Sequence, residues 1–452
     1  MTQKHLRAGA ISMGSFVLTQ GIRFAGNLFL AKLLAPEAFG LAGIVNMAIL
    51  GITLMSDLGL RQVVVQRQGQ LEASFLNTVW TVAVLRGLGI WGLALLGALG
   101  LLLLQSNGLV VGNVYANPLL PYLMVGAASS AILGGLESTK GMTAQRAMSL
   151  GRLTAMSLAS QLLAMAVMLG IARVTGSPWA LIAGAVTAAA LNCLSGHVFL
   201  PGLRNRFHWD KAIVKTILEK SKWILLSTPL AFLQSSADVM ILGGLVNATL
   251  LGNYTVAFML ANVVQQVASN LSGNIFFPGM SAAAREGLEP LQKTYLRFQR
   301  VSDAIILTVA GGLIAAGPSI VGLLFDKRYA HSGEILSCLA IGLIGLRYHV
   351  IESLIQAQGN FKLGSLMSSL RLCALVLGTY LGYYLSGLSG AALGVGLSWF
   401  AAWPVQLWYR NKTMAWPWPV EAAALGFLLT GYGLGLVFTR LAVYLPCLHC
   451  QA

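Results

Sequence analysis

Charged side chains are scarce in this chain of 452 residues: 10% are Asp, Glu, Lys or Arg, against about 25% in an average soluble protein. That deficit excludes a water-soluble globule. Acids are rarer than bases, 14 against 29, for a formal net charge of +15. In a soluble protein such a surplus points to nucleic acid; in a membrane protein it marks the cytoplasmic loops, so no nucleic-acid partner is expected. The five cysteines, Cys193, Cys338, Cys373, Cys447 and Cys450, are scattered and lie mostly within apolar stretches, which gives no disulfide framework. Cys447-Leu448-His449-Cys450 has the spacing of a redox or metal pair, but nothing else completes a four-ligand site, and no metal or cofactor is expected. There is no GxSxG, HExxH, Walker A or cytoplasmic Asp-x-Asp motif, so the usual enzyme signatures are missing.

What fills the sequence is apolar: 56% of the residues are hydrophobic. About 20 apolar residues cross a bilayer. Runs of that order occupy residues 11–34, 39–60, 80–104, 118–137, 149–171, 178–200, 223–246, 252–277, 302–325, 333–356, 364–385 and 388–409. A thirteenth, 420–445, follows Trp416-Pro417-Trp418-Pro419. The expected fold class is an all-α polytopic membrane protein. The basic segment Met1 to Arg7 leads into a run too long for a signal-peptide core, with no small-residue cleavage site, and reads as the start of a retained span. Of the 29 Lys and Arg, Lys32, Arg173, Lys327, Arg328 and Arg440 fall in loops on one side, Arg23, Arg86, Arg347 and Arg371 fall within runs, and the other 20 lie on the side of the N-terminus. This asymmetry places the N-terminus in the cytoplasm and, with thirteen spans, the C-terminus outside. The outer loops, such as 106–117, 246–253 and 386–390, are short and nearly uncharged. They leave no room for an outer catalytic domain and argue against a glycan polymerase or ligase.

The longest cytoplasmic break, 201–222, sits at the middle of the chain. Ile213, Val214, Ile217 and Leu218 share one helical face there, and Lys211, Lys215 and Lys222 another. That pattern suits an interfacial helix on an anionic leaflet or a plain solvated linker. Transporters are often internally duplicated. Sliding the chain by 212 residues sets Leu30, Leu33 and Gly40 over Leu242, Leu245 and Gly252, with Ile44 over Val256 and Met47 over Met259. A slide of 213 sets Gln145 over Gln358. The expected organisation is an N-terminal six-helix lobe (1–200), the amphipathic linker (201–222), a C-terminal six-helix lobe (223–410) with a central cavity between the lobes, and an extension (411–452) carrying the thirteenth helix.

Ionisable groups within spans are costly and therefore functional candidates. Arg23, Arg86, Asp238, Arg347, Glu352 and Arg371 fall there, with Asp57 at a run end; on that count the interior is at least as cationic as anionic. Asp57 precedes Arg61 by four residues, the spacing of an i,i+4 pair. Arg86 and Arg371 are near enough to the interface to snorkel. Arg347 and Glu352 are five apart and do not face each other, so each needs a partner on another helix. Arg23, Asp238 and Arg347 either line a cavity or form interhelical ion pairs. Asn262, Gln266, Asn270 and Asn274 recur every four residues as one polar stripe. In lipid such a stripe faces protein or water, as helix–helix hydrogen bonds or as a hydrophilic cavity able to accept a sugar.

Several segments are familiar in combination. Leu33-Leu34-Ala35-Pro36-Glu37-Ala38-Phe39-Gly40-Leu41 is followed by Ser56-Asp57-Leu58-Gly59-Leu60-Arg61-Gln62 and Gln66-Arg67. Later come Ala237-Asp238-Val239-Met240-Ile241-Leu242-Gly243, Leu251-Gly252-Asn253-Tyr254, Phe277-Pro278, Leu323-Leu324-Phe325 with Tyr329, and Gln356-Ala357-Gln358-Gly359-Asn360. In this order, over about residues 10 to 410, the chain resembles the bacterial polysaccharide transporters, the Wzx-like lipid-linked oligosaccharide flippases of the multidrug/oligosaccharidyl-lipid/polysaccharide (MOP) exporter superfamily. The resemblance implies a MATE-like fold in the inner membrane. It also implies that an undecaprenyl-diphosphate-linked oligosaccharide is moved to the outer leaflet by alternating access for surface polysaccharide synthesis, alongside a polysaccharide polymerase and a chain-length regulator. Arg23, Arg86, Arg347 and Arg371 then suit the diphosphate, Gln266 and Asn270 the sugar, and Asp238 or Glu352 coupling to a proton or sodium gradient. A cation or drug antiporter on the same fold is the alternative.

Overall fold

The computed structural model describes residues 3–67, 71–147, 150–413 and 418–444; the Cys447/Cys450 tail and Trp416-Pro417 lie outside them. Among the described residues there is helix and no strand, as a chain with no water for its amides requires. The helices are α1 (Gln3–Leu33), α2 (Pro36–Met55), α3 (Leu60–Gln66), α4 (Ala73–Ser106), α5 (Leu120–Leu136), α6 (Lys140–Arg146), α7 (Leu150–Thr175), α8 (Trp179–Phe199) and α9 (Lys211–Leu245). They continue with α10 (Ala248–Leu271), α11 (Phe277–Glu286), α12 (Leu288–Leu324), α13 (Ala330–Leu343), α14 (His349–Ala357), α15 (Phe361–Leu397), α16 (Trp403–Thr413) and α17 (Trp418–Tyr444). Among the described residues, each of the thirteen apolar runs falls mainly on helix. Eight helical stretches among the described residues are long and apolar enough to cross a membrane, or nine if α5 and α6, bent by 61°, count as one. The protein is therefore a multi-pass membrane protein.

Three runs differ from the simple expectation. The run 333–356 is broken, α13 and α14 being joined by a 3-10 turn, Ile344–Tyr348, that contains Arg347. The run 252–277 ends in a π turn, Ser272–Phe276. Runs eleven and twelve share α15, which kinks at Ser386 and at Gly387, whose φ of 63° suits a residue without Cβ. The break 201–222 is not a free linker either: its second half is the first three turns of α9. Ile217 is buried, with Ile213 and Val214 beside it, against Leu60, Val63, Val64, Phe75 and Val79, and Ser221 Oγ donates to the Leu58 carbonyl at 2.5 Å. Of that apolar face, Ile213, Val214 and Ile217 are thus packed on protein, while Leu218 stays exposed.

The chain divides into two compact units. One runs to Phe232 and takes in Val246–Ala248; the other is Leu233–Leu245 with Thr249 onward. The 212-residue register reappears in the helix ends: α1 stops at Leu33 and α9 at Leu245, and α2 starts at Pro36 and α10 at Ala248. Leu30 and Leu242, Gly40 and Gly252, and Ile44 and Val256 are all buried, while Leu33 and Leu245, and Met47 and Met259, are all half-buried.

Packing is inside-out relative to a soluble protein. In α4 the leucines Leu88, Leu93, Leu96 and Leu103 are exposed, whereas Ala94 and Ala98 are buried. Lipid solvates leucine, and small residues let helices approach. Gly87 and Gly135 sit where α4 and α5 meet: a Cβ on Gly87 would stand 2.5 Å from the Ala131 carbonyl oxygen, and one on Gly135 2.6 Å from that of Ala83.

Candidate functional site

Within the N-terminal unit, two clefts are lined by one face of α2. Asn46 lines the first; Ile49 and Thr53 line the second, a spacing of three to four residues that keeps them on one side of a helix. The first cleft, about 420 Å³, is bounded by Arg23 and Asn27 of α1, Asn46, Ser157 and Gln161 of α7, and Asn192 of α8. Arg23 is exposed in it. Among the described residues no carboxylate pairs with Arg23, and no acid is among the residues lining the cleft. Here a guanidinium shares a cleft with four amides and a hydroxyl among apolar and small residues, donors and acceptors that suit an anion attached to a polar headgroup.

The second cleft, about 470 Å³, holds Arg61, Gln62, Arg86 and Asp57. Arg86 Nη2 donates to the Thr53 carbonyl at 2.8 Å and Nε to Ser56 Oγ at 3.3 Å, which satisfies the open end of α2. Its carboxylate partner is Asp57, at 3.9 Å. The expected i,i+4 pair of Asp57 with Arg61 does not form, because α2 ends before Asp57 and the chain turns through Gly59 at φ 58°. Asp57 Oδ1 accepts from the Gly59 amide at 3.0 Å instead, and Arg61 Nε donates to Gln145 Oε1 at 2.5 Å.

The C-terminal unit treats its arginines differently. Arg347 grips Asp303 of α12 with two nitrogens, Nε to Oδ1 at 3.0 Å and Nη2 to Oδ2 at 2.8 Å. Its Nη1 reaches Glu421 of α17 at 2.7 Å. Glu421 also accepts from Arg410 Nη1 of α16 at 2.5 Å, and Gln299 Nε2 donates to Asp303 Oδ1 at 2.9 Å. Arg371 pairs with Glu352, to which Gln406 Nε2 also donates at 2.9 Å, while His349 Nδ1 lies 3.5 Å away. Arg347 and Arg371 therefore face carboxylates: Arg347 and Glu352 each have a partner on another helix, and Arg371 is paired with Glu352 rather than snorkelling. Asp238 of α9 is buried and accepts from Tyr254 OH of α10 at 2.5 Å. In the polar stripe of α10, Asn270 Nδ2 donates to the Gln266 carbonyl at 2.8 Å and Asn274 Nδ2 to Asn270 Oδ1 at 3.3 Å.

Sequence reasoning missed Asp303, Glu421 and Arg410. Asp303 and Glu421 are each the second residue of an apolar run, and both side chains are largely buried. The available signal was an acid placed within the first turn of a span, where burial makes a charge costly. Counting them balances the ion pairs of the C-terminal unit, where three arginines meet Asp303, Glu352 and Glu421.

The family described as polysaccharide biosynthesis protein matches residues 29–334. The lipopolysaccharide biosynthesis protein WzxC of Escherichia coli (strain K12) is 23% identical over 413 residues, covering 87% of this chain and 78% of WzxC. Among solved structures, the lipid II flippase MurJ in an inward closed conformation superposes with TM-score 0.70 at 12% identity, covering 97% of each chain. An inward-facing multidrug resistance MATE transporter of the MOP superfamily gives TM-score 0.60 at 16% identity, covering 88% of this chain and 94% of that one. The helical architecture is thus the one shared by MurJ and the MATE transporters, and with its profile matched across more than half of its length the chain belongs to the polysaccharide biosynthesis protein family.

Proposed function

We propose that this protein is a flippase that moves an undecaprenyl-diphosphate-linked oligosaccharide across the bacterial inner membrane by alternating access, for surface polysaccharide synthesis. The observation that carries the reading is the Arg23 cleft: an exposed guanidinium with no carboxylate lining the cleft, which Asn27, Asn46, Ser157, Gln161 and Asn192 also line. A diphosphate takes bidentate, charge-assisted bonds from such a group, and the amides and hydroxyl suit sugar hydroxyls. A cation or drug antiporter would need an acid in that place. Arg86, beside Arg61 in the second cleft, is assigned a weaker contact with the same anion. Arg347 and Arg371, held by carboxylates, are assigned to holding helices together. Of the two acids proposed for coupling, Asp238 has no basic partner among the described residues and keeps the role of carrying a proton or cation; Glu352, bound to Arg371, does not.

Deleting the gene should stop surface polysaccharide export and leave lipid-linked repeat units on the cytoplasmic side. Intact export, or repeat units already outside, would refute the flippase reading. In complemented cells Arg23→Ala should lower export by about 10- to 100-fold, the equivalent of a charge-assisted bond worth roughly 1.5–3 kcal/mol. Arg23→Lys should retain part of it.

A further inference from the structure

Residues 203–218 expose large apolar side chains where a water-facing loop has no use for them. Phe207 is 69% exposed and Trp209 51%, and Leu203 and Leu218 are exposed as well. Between them stand Arg204, Arg206, Lys211 and Lys215, all exposed. None of these four pairs with a carboxylate among the described residues. Over 201–222 the sequence carries six basic residues against Asp210 and Glu219. Asp210 is engaged as the cap of α9, its Oδ1 accepting from the Ala212 amide at 2.8 Å and the Ile213 amide at 3.2 Å.

The strap that precedes α9 is fastened to the protein along its length. Asn205 Oδ1 accepts from Ser138 Oγ at 2.9 Å and from the Thr139 amide at 3.1 Å, and its Nδ2 donates to Thr139 Oγ1 at 2.7 Å. The Arg206 amide donates to Asn77 Oδ1, and the His208 amide to Thr81 Oγ1, both at 3.0 Å. The Phe207 ring lies 4.8 Å from that of Trp80. These anchor points fix its depth. Trp80 opens the third apolar run, and Ser138 follows the last residue of the fourth, so the strap lies where hydrocarbon gives way to headgroups. Aromatic rings are favoured at that level, and basic side chains there meet lipid phosphates.

We infer that residues 203–218 form a docking surface for anionic phospholipid headgroups of the leaflet beside them, with Phe207 and Trp209 inserted among the lipids and Arg204, Arg206, Lys211 and Lys215 on the phosphates. On the face of α9 that sequence pattern offers to the leaflet, Ile213, Val214 and Ile217 are packed on protein and Leu218 is exposed, so the strap and the exposed side of the first turns of α9 make the contact together. It is a site distinct from the Arg23 cleft and does not depend on the transport reading.

The test uses the full chain in vesicles of phosphatidylcholine doped with brominated phosphatidylglycerol or, at the same mole fraction, brominated phosphatidylcholine. The Trp209 signal is the difference between the parent protein and Trp209→Phe. The expected result is quenching of that signal, stronger with the brominated phosphatidylglycerol. Substituting Arg204, Arg206, Lys211 and Lys215 together by Gln should reduce the preference by about fivefold or more, since one basic residue near an anionic surface is worth about that factor. A charge-conserving variant, with Lys at 204 and 206 and Arg at 211 and 215, should keep it. A Trp209 signal that neither lipid quenches, or that both quench equally in the parent, overturns the proposal. Those two outcomes are read on the parent and Trp209→Phe alone, so they hold even if the Gln variant fails to fold.

Discussion

Of the four arginines within apolar runs, Arg347 shows how an identical side chain takes a different role according to what reaches it. Its side chain is 8% exposed and that of Asp303 1%, so removing one partner strands the other where neither water nor lipid solvates it. Arg347→Ala should destabilise the protein by about 3–5 kcal/mol, read as a lower melting temperature in detergent. If Arg347 instead served only to bind substrate, the melting temperature would hold and export alone would fall. Replacing the pair together, Arg347→Met with Asp303→Leu, should recover much of the loss, because a buried ion pair is often no better than well-packed apolar residues. For Asp238 the expectation differs: Asn keeps a hydrogen bond with Tyr254 but cannot take up a proton. Asp238→Asn should therefore leave stability nearly unchanged and alter the response of reconstituted transport to an imposed ion gradient. An unaltered response would reduce Asp238 to a structural partner of Tyr254. Sequence spacing made the need for partners legible at Arg347 and Glu352. It did not reveal which residues answer, because Asp303 lies 44 positions before Arg347 and Glu421 lies 74 after it, separations that only helix packing closes.

Among the elements, α17 departs furthest from its reading as an extension beyond the twelve-helix core. It packs along α12 through Gly311, Gly312, Gly431 and Gly435. A Cβ on Gly435 would stand 2.7 Å from the Gly312 carbonyl oxygen, and one on Gly431 would meet that of Thr308. Its first turn carries Glu421, the carboxylate shared by Arg347 and Arg410. Gly431→Leu should push the helices apart, and Glu421→Ala should leave two arginines short of a counterion. Each should lower the melting temperature of the whole protein, Glu421→Ala by the equivalent of roughly 3 kcal/mol. Glu421→Gln, which keeps an acceptor, should cost less. Equal stability of parent and both variants would make α17 an appendage after all. The existence of this helix was legible as an apolar run of ordinary length, but its attachment was not. Gly431 and Gly435 have the four-residue spacing of close helix packing, but in a chain with 51 glycines that spacing does not name the partner helix.

For the whole molecule, the number of crossings decides where the two ends lie, and the ion pairs bear on that number. Arg410 is in the last turn of α16 and Glu421 in the first turn of α17, and their contact at 2.5 Å puts the end of one helix beside the start of the next. α17 therefore sets out from the face of the membrane at which α16 arrives. With 27 residues at about 1.5 Å each it is long enough to span a hydrocarbon core of roughly 30 Å. A six-run repeat, expected from the 212-residue register, would account for twelve runs and return the chain to the side on which it began; α17 would then add one more crossing. Alkaline phosphatase fused after the last residue should then be active, while a fusion made after Lys412 should not, and green fluorescent protein at the N-terminus should fluoresce. An inactive C-terminal fusion on a correctly inserted protein would mean that α17 lies along the membrane or that one of the other twelve runs does not cross. The Glu421 variants separate those cases, because only an α17 that has lost its hold on Arg410 should let the activity of the C-terminal fusion change.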